Sequence, residues 1–381
     1  MQGFFVFYLI LVFSISFLTC IYLIPYVCQL GLQFNVLDKK EERKLNFNNQ
    51  VRLGGLSIII PFYLSIFLSY LTNSFNYELL NLDFGQVTPL IIVIIAGSLS
   101  FYTLGLCDDL FTLSPYLRLA IQIVVILILI SFGLIIDLNG FFEKINIANN
   151  SNLEFSLSIL LTVIFIAGII NSFNWIDGLD GLASGVTCIV SLGYLTICLL
   201  EGNSIVAIFA ASIAGASLGF LKYNFHPSKI IMGDGGSYFI GFMNAIIGLM
   251  TICPFQSTNL INLSFDKAYL NFSFDKLYIL FIVLFLPIFD MFIVILRRIF
   301  TGKSPFYPDR THLHHLFFDK GLSQKRTVIF IYSVTQFCVC IAINLNNFKG
   351  NYSLTLFSLI FLVIMSFLIF PKSNFSLHQK K

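Results

Sequence analysis

The sequence predicts an all-α, polytopic integral membrane protein of about eleven transmembrane helices, with the N-terminus outside and the C-terminus in the cytoplasm. Composition is the first reason: the 381 residues are 57% hydrophobic and 11% charged, with a mean hydropathy of +0.89. No soluble fold of this size hides so much apolar surface. Spacing is the second: apolar runs of about 17–25 residues, the length a bilayer needs, recur along the chain. Charge is the third: 18 of the 22 Lys and Arg fall in one alternating set of loops, with only Lys144, Lys267, Lys276 and Lys349 in the other. The basic set belongs in the cytoplasm.

The spans are expected at 3–30, 54–72, 88–106, 118–138, 156–173, 182–200, 205–221, 237–254, 277–297, 327–344 and 354–370. The first has no basic leader or small-residue cleavage site, which predicts a retained span. The longest cytoplasmic loops, Gln33–Leu53 and Arg298–Arg326, are too short for a core of their own, so one membrane-embedded domain over 1–381 and no soluble domain is expected. The eight Cys are scattered, mostly within apolar spans, and read as small core residues.

Ionisable groups are costly near hydrocarbon, so those present demand a reason. They gather in four clusters, all on the expected cytoplasmic face. Asp108 and Asp109 end the third span. Adjacent carboxylates there need a cation or a shared proton, as with a metal bridging phosphates or a general base. Asn171, Asn174, Asp177 and Asp180 follow at intervals of three, which on a helix puts their oxygens on one face, while Gly178, Gly181 and Gly185 permit close backbone approach. Asp234 lies in Met232-Gly233-Asp234-Gly235-Gly236-Ser237 at a helix start, a setting in which free N–H groups receive phosphate. The fourth cluster is Arg310-Thr311-His312-Leu313-His314-His315. These His lack the i,i+4 spacing and the Cys or Glu partners of a zinc face, and with Arg310 they suit phosphate donors. Lys44 and Arg52, near Gly54-Gly55, are placed to reach a phosphate. Asp290 lies within a span, with Arg297 or Arg298 as the expected partner. His226 and His378 are lone His, expected to be structural or solvated.

Oxygen ligands, phosphate donors and a membrane setting together suit phosphoryl transfer with a lipid substrate. An aromatic prenyltransferase also uses acids and magnesium, but Thr112 interrupts the Asp motif it needs, and the His loop has no role in it. A cation-coupled transporter would place its acids near mid-membrane.

The motifs resemble the polyprenyl-phosphate N-acetylhexosamine-1-phosphate transferases, of glycosyltransferase family 4 type. The resemblance is carried in order by Arg43-Lys44 with Arg52-Leu53-Gly54-Gly55, Gly105-Leu106-Cys107-Asp108-Asp109, Asn171–Gly185, Tyr223-Asn224 with Met232–Ser237, Pro287–Asp290 and Asp309–His315. It implies that undecaprenyl phosphate attacks the β-phosphate of a UDP-HexNAc, giving a lipid diphosphate sugar and UMP, with Mg2+ as cofactor and Mn2+ as substitute. By position it makes Asn174 and Asp234 metal ligands. Asp108 and Asp109 handle the lipid phosphate, Asp177 lies beside metal and nucleotide, and Asp180 and Asn224 contact uridine. Arg310, His312, His314 and His315 grip the diphosphate and sugar, with Lys44 and Asn171 as further substrate contacts. Leu313 between the first two His is similar to the GlcNAc-1-phosphate branch rather than the muropeptide branch. Where the family often has a third Asp this chain has Leu110-Phe111-Thr112, and where it often has an aromatic before Asp234 this chain has Ile231. The implied setting is a bacterial inner membrane with the site facing the cytoplasm, in a pathway that starts cell-surface glycans. A homodimer is allowed for; a nucleic-acid partner is not expected.

Overall fold

The computed structural model describes residues 2–38, 50–75, 84–138, 151–252, 270–271, 276–307, 312–346, 356 and 359–363. Its elements are α1 (Gln2–Gln33), α2 (Leu56–Phe75), α3 (Phe84–Phe111), α4 (Pro115–Ser131), β1 (Ile136–Asp137), α5 (Ser151–Ile176), α6 (Leu182–Glu201), α7 (Ser204–Asn224), α8 (Gly233–Ile252), β2 (Leu270–Asn271), α9 (Leu277–Val283), α10 (Phe285–Phe300), α11 (Leu313–Asp319) and α12 (Gln324–Asn346). The two short strands pair in parallel, Ile136 with Leu270. The other named elements among the described residues are all helices, in agreement with the expected class.

Seven of these helices are long and apolar enough to cross a membrane, and α9 with α10 makes an eighth if counted as one bent span. Two shorter apolar stretches, Leu56–Thr72 and Pro115–Ser131, fall at the second and fourth expected spans. The span expected at 354–370 lies largely outside the described residues. The span expected as continuous over 277–297 is broken: α9 and α10 meet at 79°. Pro287 explains the break, because it has no N–H to give the carbonyl of Val283 and its ring crowds that turn.

α8 is the axis of the bundle. Its membrane-length window is wholly buried, whereas that of α1 is 28% buried and so faces outward over most of its surface. Helices α2, α3, α5, α6, α7 and α9 all pack on α8. α1 and α2 pack on α7 through small residues: a Cβ on Gly215 would sit 2.3 Å from the Phe13 carbonyl oxygen. Ser16 donates to the Ser212 carbonyl (2.7 Å), and Ser65 bonds the Ser212 hydroxyl (2.8 Å). Lipid offers little hydrophobic drive between helices, so such close approach and buried hydroxyl pairs hold them together.

Three extended segments are laced at one end of this bundle. Leu37 pairs antiparallel with Val51, and Val51 pairs in parallel with Ile230. The N–H groups of Gly54 and Gly55 then bond the carbonyls of Ile231 and Met232 (2.9 and 2.8 Å). This lacing fixes the chain before α2 against the start of α8.

Candidate active site

Asp234 occupies the first turn of α8, after Gly233 at φ +77°. Its neighbourhood is crowded by design of the backbone: a Cβ on Gly105 would lie 2.3 Å from the Asp234 carbonyl oxygen, and one on Gly55 would lie 2.6 Å from the Gly236 nitrogen. Only glycine lets α3 and the pre-α2 segment come this near. Proximity brings Asp109, at the end of α3, onto the start of α8. Its Oδ1 accepts from the Asp234 N–H (3.0 Å) and its Oδ2 from the Gly235 N–H (3.2 Å). The helix N-terminus expected to be free for phosphate therefore holds the protein's own carboxylate. A negative charge next to the open N–H groups and the positive dipole end explains the preference.

Arg52 completes the group. Its Nε lies 2.6 Å from Asp109 Oδ1, and its terminal nitrogens lie 3.2 Å from Asp234 Oδ1 and 3.6 Å from Asp38 Oδ1. Burial works against the guanidinium charge, but Asp234, Asp109, Asp38 and Asp177 outweigh it and hold the pKa above its ordinary value. Asn174, in the last turns of α5, donates from Nδ2 to Asp234 Oδ1 (3.0 Å) and to Ser237 Oγ (2.9 Å).

Asp108 faces a second cation. Its Oδ2 pairs with Arg118 in the first turn of α4 (2.5 Å), and its Oδ1 accepts the Leu113 N–H (2.8 Å). Thr112, at φ +53°, turns the chain so that this carboxylate is capped. The adjacent acids are thus divided, each with its own arginine. Asn171 lies one turn before Asn174 and donates to buried Gln122 of α4 (2.7 Å).

The expected helical face joining Asp177 and Asp180 does not form. α5 ends at Ile176, and residues 177–181 turn, with Gly181 at φ +80°. Two glycines in four residues end the helix there. Asp177 is within electrostatic reach of Arg52, whereas Asp180 binds the loop after α7. Asp180 Oδ2 lies 2.7 Å from His226 Nδ1, and Ser228 Oγ donates to Oδ1 (2.8 Å). His226, expected to be lone, is this partner. Asn224 is a buried strut: Oδ1 accepts the Gly181 N–H (3.0 Å) and the Ser184 hydroxyl (3.2 Å), and Nδ2 donates to the Ile230 carbonyl (2.9 Å).

The histidines close the site from α11. His314 is buried against Gly178, whose missing Cβ would lie 2.6 Å from His314 Nε2. Burial, with His315 and His312 adding to it and Asp290 opposing, pushes the His314 pKa down to about 3. The rings of His314 and His315 stand 4.3 Å apart. His312 Nδ1 lies 2.8 Å from Asp290 Oδ2. Asp290 was expected to pair with Arg297 or Arg298; instead Arg298 donates to the Pro305 carbonyl and covers Trp175 at 4.9 Å. The reason is reach: the break places Asp290 under the start of α11, where the Leu313 N–H also needs an acceptor (2.7 Å).

Asp108, Asp109, Asn174, Asp177, Asp234, His312 and His314 thus meet at one end of the bundle, while Lys44 and Arg310 lie outside the described residues. Arg118 was missed as a site residue, and Arg52 was noted only for phosphate. A signal was available: each acid at a membrane boundary requires a counter-charge, and Arg118 lies one turn inside an apolar helix where an idle cation is costly.

A family model described as "Glycosyl transferase family 4" matches residues 91–252. The chain is 31% identical over 327 residues to the probable undecaprenyl-phosphate N-acetylglucosaminyl 1-phosphate transferase of Bacillus subtilis, covering 86% of this chain and 82% of that protein. It is 32% identical over 321 residues to the decaprenyl-phosphate N-acetylglucosaminephosphotransferase of Mycobacterium tuberculosis, covering 80% and 74%. Identity to a phospho-N-acetylmuramoyl-pentapeptide-transferase of Caldanaerobacter subterraneus is 28% over 257 residues, covering 65% and 76%.

Proposed function

The chain belongs to glycosyl transferase family 4, and from that membership we propose that it transfers GlcNAc-1-phosphate from UDP-GlcNAc to undecaprenyl phosphate, releasing UMP. An oxygen of the lipid phosphate attacks the β-phosphorus, and the bond to UMP breaks. The observation that carries this reading is the meeting of four acids, an amide, two arginines and two histidines at one end of an otherwise apolar bundle.

Two polyanions must be held side by side, which positive charge makes affordable. Asp108 and Asp109 serve this end by holding Arg118 and Arg52, whose forked N–H groups suit phosphate oxygens. His312, His314 and His315 add donors and acceptors for the diphosphate and sugar. Asp180, steadied by His226 and Ser228, faces the uridine end.

Asp234 and Asp177 offer the hard oxygens that magnesium prefers, and Asp234 already draws a cation in Arg52; Asn174 turns its Nδ2 to Asp234 and would offer its oxygen with the amide turned over. Asn174 and Asp234 are the residues to hold it. When bound, it would neutralise charge on the transferring phosphoryl group.

We place the enzyme in a bacterial inner membrane with eleven spans, N-terminus outside and site toward the cytoplasm, on the loop-charge asymmetry. Its product would start a cell-surface glycan.

The test is transfer by purified protein in detergent, given radiolabelled UDP-GlcNAc, undecaprenyl phosphate and magnesium. Lipid-linked label with release of UMP is expected. Absence of label from UDP-GlcNAc and from a panel of other UDP-HexNAc donors overturns the reading.

A further inference from the structure

Asp290 is an ionisable group set in the broken span α9–α10 and is only 3% exposed. Both its oxygens are directed at one place: Oδ2 to His312 Nδ1 (2.8 Å) and Oδ1 to the Leu313 N–H (2.7 Å). The His312 ring is gripped on its other sides. Trp175 meets it edge-on at 5.7 Å, and the His314 ring lies parallel to it at 5.6 Å. Arg298 in turn rests on Trp175. A ring so enclosed has one orientation, and the bond at Nδ1 decides which nitrogen is left to work.

We propose that Asp290 is a positioning residue that holds the proton of His312 on Nδ1 and presents the Nε2 lone pair, as an acceptor, to a hydroxyl of the sugar-nucleotide donor. This rests on the transferase reading above. A carboxylate accepts only, so it fixes the tautomer and leaves Nε2 as the acceptor. The break in the span acquires a purpose: it carries this carboxylate to the start of α11, where a straight helix would carry it past.

Asp290→Asn separates positioning from mere support. The amide oxygen still accepts the Leu313 N–H, so the start of α11 is kept. The amide NH2, however, donates to Nδ1 and drives the proton to Nε2. We expect 15N NMR of histidine-labelled protein in nanodiscs, with His312→Gln assigning the signal, to show Nδ1 protonated in the wild type and Nε2 protonated in Asp290→Asn. We expect kcat to fall about 100-fold in that variant with KM for UDP-GlcNAc nearly constant. A wild-type His312 with its proton on Nε2, or an Asp290→Asn variant with wild-type tautomer or wild-type kcat, overturns the proposal. If the wild type transfers no sugar, the transferase reading fails, and the tautomer in the two proteins still decides what Asp290 does to His312.

Discussion

A guanidinium among carboxylates is stable as a set and unstable in parts. Arg52→Ala would leave Asp109 and Asp234 facing each other without their cation, at a cost of about 3 kcal/mol. A clear fall in the thermal midpoint in detergent and loss of transfer are expected; Arg52→Lys, which keeps charge but not the fork, should fall between. Asp234→Ala should abolish transfer while membrane insertion stays normal, and near-normal turnover would refute its proposed role as a metal ligand. His314 gives a pH signature. Its pKa is 6.5 in an ordinary setting and about 3 when folded, so below pH 6.5 the unfolded chain binds a proton that the folded chain refuses. Stability from this group is therefore complete above pH 6.5 and drains away as pH falls toward 3. His314→Gln should flatten that part of a midpoint-against-pH curve. At this scale the acids were legible in the sequence because each is an expense in a greasy chain. Their partners were not, because Arg52 and Asp109, or Asp180 and His226, are neighbours only across long stretches of chain.

The candidate site is built from helix ends, so changes in how elements meet should act as strongly as changes in the acids. Gly105→Ala would push a methyl group into the backbone at Asp234 and Gly235, and the first turn of α8 would have to move. Transfer is expected to fall by at least about 100-fold, since small misplacement of reacting groups is that costly. Gly3→Ala, which meets nothing within 4 Å, is the control. The helices themselves were legible from apolar length alone. The break at Leu284 was not, because the composition runs on evenly across it and one proline must be weighed against twenty apolar residues. The turn at 177–181 was misread as helix for a related reason: a spacing of three looks helical until Gly178 and Gly181 are given their due.

At the scale of the whole molecule, the proposed cytoplasmic orientation of the site has a direct test. Cys107 is exposed beside Asp108, so a variant keeping only this cysteine reports on that end of the bundle. A membrane-impermeant maleimide should label it in inverted vesicles and not in right-side-out ones; the opposite pattern would reverse the topology. The sequence led to the expectation that the four acidic and histidine clusters would share a face, because the loops that bear them have the same parity. It did not show how tightly they meet, since that depends on the lacing of residues 37, 51 and 230 and on glycine contacts between distant helices. That arrangement has a consequence for biogenesis. Arg52, Asp109, Asn174 and Asp234 all lie in the part of the chain that ends with α8, so they can lock together before the rest is made. His312 and His314 follow about sixty residues after that helix ends. The order of synthesis thus brings the charge cluster together before the histidines that complete the candidate site, which is finished only near the end of the chain.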